Sequence, residues 1–115
     1  MSETKTKMDD AFVMKVIQQA TAEALRYASA YIEQHGDGYP CGFAWVNIKP
    51  ARGQFVKVLK KMGIGRTDDF YGGYTIWNPS NHPTQNMDAK EAGARAFAEE
   101  LRKYGVKCSV STRMD

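Results

Sequence analysis

Two cysteines and two histidines in 115 residues leave little material for thiol or metal chemistry. Cys41, Cys108, His35 and His82 are scattered, without the C-x-x-C or H-x-x-x-H spacing that makes a zinc site credible. The cysteines form either one disulfide or two buried free thiols, and the second reading suits a reducing compartment. No apolar run is long enough to span a bilayer. The first ten residues are polar and lack the apolar stretch of a signal peptide, so a cytoplasmic location is expected. Acidic residues are absent from Gly38 to Thr67, a gap that leaves Lys49, Arg52, Lys57, Lys60, Lys61 and Arg66 unopposed in sequence.

What is present is the makeup of an ordinary globular domain, 43% hydrophobic and 25% charged. That balance excludes intrinsic disorder, and the length fits a single core. The expected organisation is a tail over residues 1–8 and one domain over 9–115. A formal charge of +3 is compatible with an anionic ligand and does not require nucleic acid.

Hydrophobic periodicity orders the chain. Asp9 and Asp10 favour a helix start by capping and charge. Val13, Val16, Ile17, Ala20, Ala24, Tyr27, Ala28 and Tyr31 then recur at helical spacing up to Gln34, where Gly36 ends the helix. At about 1.5 Å per residue this helix is nearly 40 Å long and would overhang a small core. A homodimer through the N-terminal helix is therefore expected, the alternative being a helix broken near Thr21 and wrapped on its own sheet. A strand from Cys41 to Ile48, rich in aromatic and β-branched residues, reads as buried on both faces or nearly so. A helix over 51–62 buries Phe55, Val56, Leu59 and Met62. A second strand covers Tyr74–Trp77, stopped by Asn78-Pro79. A third helix runs from near Asp88 to Tyr104, its Ala89, Gly93 and Ala96 keeping one side thin enough to lie close on the sheet. The last strand spans Val106–Thr112 and alternates in polarity.

The order α-β-α-β-α-β, with two consecutive crossovers, predicts an α/β fold with a small three-stranded, largely parallel or mixed sheet and a long N-terminal helix. An antiparallel or mixed sheet with the helices on one face is the alternative.

Candidate chemistry concentrates in the loop 78–87, which leaves a strand end and enters a helix N-terminus, where free N–H groups attract anions. Asn78, Asn81 and Gln85 would fix a ligand's orientation, Trp77 and Tyr74 offer faces for stacking, and Arg113 after the last strand supplies a cation. The opposing reading is structural: Asp88-x-x-Glu91 resembles a capping box, and Asn-Pro-Ser-Asn is turn material. Lys57, Lys60 and Lys61 on the second helix are the alternative grip, for a nucleic-acid backbone. Catalysis ranks below binding. His82-Pro83-Thr84 has the H-x-T form of two-histidine phosphodiesterases, but His35-Gly36-Asp37 does not supply the second tripeptide. No cofactor is expected.

Pro40-Cys41-Gly42-Phe43-Ala44-Trp45, Trp77-Asn78-Pro79-Ser80, Gln85-Asn86-Met87-Asp88 with Lys90-Glu91-Ala92-Gly93-Ala94, and the end Ser111-Thr112-Arg113-Met114-Asp115 resemble small bacteriophage-encoded proteins of unassigned function, over roughly residues 40–115. The resemblance implies a phage accessory protein acting in the host cytoplasm. One class of such proteins sequesters nucleotide signals of antiviral defence without cleaving them. The expectation is a non-catalytic protein that binds a small anionic, nucleotide-like ligand, with a host-protein-binding module as a further alternative.

Overall fold

A computed structural model describes residues 8–115. The expected tail falls almost wholly outside them. Met8 itself packs on the core, and Gln54 Nε2 donates to its carbonyl at 2.7 Å.

Helix α1 spans Asp10–His35, with the Asp9 carboxylate accepting from Phe12 N at 2.8 Å and Gly36 closing the far end. Strand β1 is Gly42–Ile48 and helix α2 is Gln54–Lys61. Strand β2 is only Arg66–Thr67, β3 is Tyr74–Trp77, α3 is Met87–Arg102 and β4 is Cys108–Met114. The sheet has four strands in the order β2-β3-β1-β4, and every neighbouring pair is antiparallel.

This overturns the expected three-stranded, largely parallel or mixed sheet. The physical reason is β2. Two exposed residues carry no hydrophobic alternation, so the strand is silent in the sequence. Its hairpin with β3 inserts β3 between β1 and β2, and β1 lies between β3 and β4. Each helical crossover thus joins two strands of like direction that are not neighbours. The β1-α2-β2-β3-α3-β4 portion has the split β-α-β, or ferredoxin-like, arrangement, preceded by α1.

All three helices share one core with one face of the sheet. Ala44, Val46 and Ile48 from β1 and Tyr74 and Ile76 from β3 meet Phe55, Val56, Val58 and Leu59 of α2 and Ala94, Phe97, Ala98 and Leu101 of α3. Burying each large apolar side chain contributes about 1.5–3 kcal/mol. Val13, Val16, Ile17, Ala20 and Ala24 bring α1 into the same core. The thin side of α3 lies against α1 as well as the loop: a Cβ at Gly93 would stand 2.9 Å from the Ala24 carbonyl and 2.9 Å from Ser80 Cβ. Helix–helix packing, rather than closeness to the sheet, is what that glycine permits.

The apolar stripe of α1 that suggested a second copy is therefore largely covered within the chain, while Leu25 and Tyr27 stay exposed. The helix is continuous through Thr21, whose hydroxyl donates back to the Ile17 carbonyl at 3.0 Å. Among the described residues no helix is long and apolar enough to cross a membrane.

Candidate functional site: the open face of the sheet

Along β1 burial alternates residue by residue, Gly42, Ala44, Val46 and Ile48 inside and Phe43, Trp45 and Asn47 partly exposed. The strand is thus buried on one face, and the expectation of near-complete burial on both is corrected. Period-two geometry and the register extend the second face outward. Trp45 lies opposite Trp77 and Ser111, Phe43 opposite Arg113, and Asn47 opposite Thr75 and Ser109. Arg66 of β2 lies opposite Thr75. Among the described residues no helix packs on this face.

Its centre is aromatic. The Trp45 and Trp77 rings are 4.6 Å apart at 33°, and Phe43 meets Trp77 edge-on at 6.0 Å. Trp77 is 43% exposed, whereas Ile76 beside it is 3% exposed. The Arg113 guanidinium lies 5.7 Å from the Phe43 ring centroid. A buried lysine also approaches this ring: Lys90 Nζ is 5.3 Å from the same centroid and donates to the Gly42 carbonyl at 2.9 Å. Cations held over ring faces gain from the quadrupole, and they leave a positive border on the aromatic patch.

The loop between β2 and β3 rises beside the patch. Asp68 organises it by accepting from Phe70 N at 2.9 Å and Tyr71 N at 3.0 Å. These two backbone donors, Tyr71's first, hold the Asp68 carboxyl below its ordinary range. Asn47 ties the loop to the sheet, its Nδ2 donating to the Gly72 carbonyl and to Thr75 Oγ1, both at 3.1 Å. Gly73 has φ +84°, and a Cβ there would collide with the Asn47 amide, so the tie requires glycine. The result presents Phe70 and Tyr71 at 84% and 73% exposure, paired edge-to-face at 4.6 Å.

Two hollows flank this loop. One, of about 290 Å³, includes Trp45, Asn47, Lys49, Tyr71, Ser109 and Ser111 in its lining. The other, of about 370 Å³, lies between the loop and Trp77. Another hollow, of about 350 Å³ on the outer sides of α1 and α3, is bordered by Glu23, Arg95, Glu99 and Glu100. Its charges are engaged in helical ion pairs with near neighbours, which leaves it without convergent polar groups.

The residues expected to form one site are divided by this architecture. Trp77 and Arg113 share the open face, bridged by Phe43. Tyr74 does not: it is 1% exposed on the helix side, and its hydroxyl donates to the Ile64 carbonyl at 2.5 Å. Burial raises its pKa. Asn78 spends its groups on the turn, its N–H on the Ala44 carbonyl, its Nδ2 on the His82 carbonyl and its Oδ1 on Ser80 Oγ. Asn78 and Asn81 hold φ of 42° and 58°, a left-handed conformation asparagine tolerates well. Gln85 is exposed, and its carbonyl accepts from Gly42 N at 3.1 Å.

The N-terminus of α3 is also closed. Asn86, rather than the expected Asp88-x-x-Glu91 box, caps it by accepting from Ala89 N at 2.8 Å. Asn86 Nδ2 meanwhile donates to the Gly38 carbonyl at 2.7 Å, and Thr84 bonds Asp37. The loop 78–87 is thus a structural clasp that ties the 37–41 segment to α3.

The basic helix is occupied too. Lys57 and Lys61 converge on Asp10 Oδ2 at 3.8 and 3.0 Å, and Lys60 leans over the Tyr74 ring at 5.9 Å. The Lys61 hydrogen bond, then Gln54, lowers the Asp10 pKa. Cys41 and Cys108 are free and half-buried, and burial raises the Cys108 pKa.

Phe43 and Trp45 are the functional candidates that sequence reasoning missed. The signal was there: in Gly42–Ile48 small and aliphatic residues occupy one parity, aromatic and amide residues the other. Comparison with known proteins returns no matching family model, curated protein or solved structure.

Proposed function

We propose that the protein binds single-stranded nucleic acid on the open face of its sheet, without catalysis. The observation that carries this reading is the contiguous aromatic surface of Phe43, Trp45 and Trp77, bordered by Arg113 and Lys49 and left free of helices. Every base has a π-face, so exposed rings accept bases of any sequence, each stack being worth about 1–3 kcal/mol. Four-stranded RNA-recognition sheets use aromatic residues in this way, an analogy of strategy that the fold alone would not warrant.

Shape favours a strand over a lone small molecule. A small-ligand pocket encloses most of its ligand, whereas these rings form a surface continuous with two open hollows. Bases would stack on Trp77, Trp45 and Phe43, with Arg113 and Lys49 countering phosphate. Lys90 holds the backbone next to Phe43 through its bond to the Gly42 carbonyl. The nucleotide-like ligand expected from the sequence would use the same stacking surface, so chain length separates the two readings.

The test is a fluorescence-anisotropy titration with short labelled oligouridine and oligothymidine, against uridine monophosphate as competitor. Affinity should rise with oligomer length and fall with salt. Trp77→Ala should weaken binding by roughly 5- to 150-fold. Unchanged affinity in that variant, or competition by the mononucleotide as strong as by the oligomer, would defeat the single-strand reading.

A further inference from the structure

We infer that the hollow between the β2–β3 loop and Trp77 is a subsite for one everted base and that its polar lining selects guanine. The inference rests on the single-strand reading of the open face. It adds a base preference to a platform that stacking alone would leave indifferent to sequence.

The hollow is open to solvent on one side and has a volume of about 370 Å³, room for one base rather than for a whole enclosed ligand. Its apolar lining is aromatic, Trp77 from the sheet and Phe70 from the loop. Phe70 stands 84% exposed, yet the turn around Asp68 and the Asn47 tie hold its loop in place. An aromatic side chain held out in water beside a second exposed ring is a place for a flat apolar surface to enter.

The rest of the lining is polar and of both signs: Arg66, Thr67, Asp68, Asp69 and Thr75. Asp68 Oδ1 is committed to the loop backbone, and Thr75 Oγ1 to Asn47. Among the described residues neither the Arg66 guanidinium nor the Asp69 carboxylate belongs to an ion pair. The hollow thus offers the planar five-donor fork of Arg66, whose charge also acts on Asp68 beside it, and the Asp69 carboxylate as an acceptor.

Guanine matches that pair of groups best. Its N7 and O6 are adjacent acceptors, which arginine meets bidentately, and its amino group is a donor for a carboxylate. Adenine would set its N6 amino group against the guanidinium donors. Cytosine's two acceptors, N3 and O2, share one edge with its amino donor, so a fork seated on them crowds the carboxylate that the amino group would need, whereas guanine presents the two on separate edges.

The experiment compares labelled oligouridines carrying one central guanine, adenine, cytosine, inosine or 7-deazaguanine. The guanine oligomer should bind roughly 5- to 150-fold tighter than plain oligouridine. Inosine, lacking the amino group, and 7-deazaguanine, lacking N7, should each lose part of that ratio. Arg66→Ala should collapse it, whatever uniform loss the missing charge brings. Arg66→Lys, which keeps the charge without the fork, should collapse it as well and guards against a folding artefact. Asp69→Asn should remove the inosine–guanine difference. Equal binding of all five oligomers, with Trp77→Ala still weakening them, overturns the guanine subsite and leaves the platform standing. A ratio that survives Arg66→Ala overturns the subsite too. Failure of every oligomer to bind overturns both.

Discussion

The two faces of this sheet are built from the same strands, and their parity decides opposite fates. On the helix side Ala44, Val46, Ile48, Tyr74 and Ile76 are at most 3% exposed and satisfy packing alone. On the open side Phe43, Trp45, Trp77 and Arg113 touch one another, yet water still reaches them. A sheet in an antiparallel fold needs only one face covered to be stable. The large aromatic residues on the other face therefore have no role in closing the core. On the single-strand reading proposed above, they are the surface on which bases stack.

The sharpest way to break the contrast is to truncate on each side. Phe97→Ala on the helix side, 1% exposed, should cost about 3–5 kcal/mol, read by urea unfolding. That is a large part of the roughly 5–15 kcal/mol a domain of this kind holds. Trp45→Ala on the open side should cost less stability while weakening oligonucleotide binding by about 1–3 kcal/mol. Equal destabilisation by the two would mean that the open face is simply a second core surface.

Gly73→Ala tests the loop that borders the open face. The positive φ and the collision with Asn47 should cost about 1–3 kcal/mol locally. The expected readout is faster amide exchange over 68–73, with α1 and α3 protected as before. Asp68 offers a pH test of the same loop. Its pKa is depressed, so its contribution is complete above the ordinary aspartate range and disappears as pH falls through the lowered value. Amide protection at Phe70 and Tyr71 should fade in acid before the core does, and Asp68→Asn should flatten that dependence.

The smallest effect belongs to the helix side's own charges. Lys57→Ala with Lys61→Ala removes exposed partners of Asp10 and should change oligonucleotide affinity by less than about twofold. A loss as large as that of Trp77→Ala would return the nucleic-acid interface to α2.

Local rules made the helices legible. Apolar residues at three- and four-residue spacing mark α1 and α3, and Gly36 marks the end of the first. The same reading placed α2 and the cores of β1, β3 and β4, because burial on a helix or strand leaves a periodic trace. It failed at Arg66–Thr67, a two-residue edge strand that buries nothing and so leaves no trace. For the polar loop 78–87 it left a ligand site and a structural turn both open, because hydrogen-bonding residues look alike whether they serve a turn or a partner. In the fold the Asn78 side chain serves its own turn, while Asn86 caps α3 and reaches the Gly38 carbonyl, a group brought from elsewhere in the chain.

The amino-acid sequence by itself determined the three helices and the strands β1, β3 and β4, since those preferences depend on neighbours a few residues away. Only the tertiary structure decided that β3 slides between β1 and β2, and that Trp77 and Arg113 meet across Phe43 while Tyr74 turns inward. Strand order and facing depend on pairings between residues tens of positions apart, and parity along a strand is decided by which side the helices close.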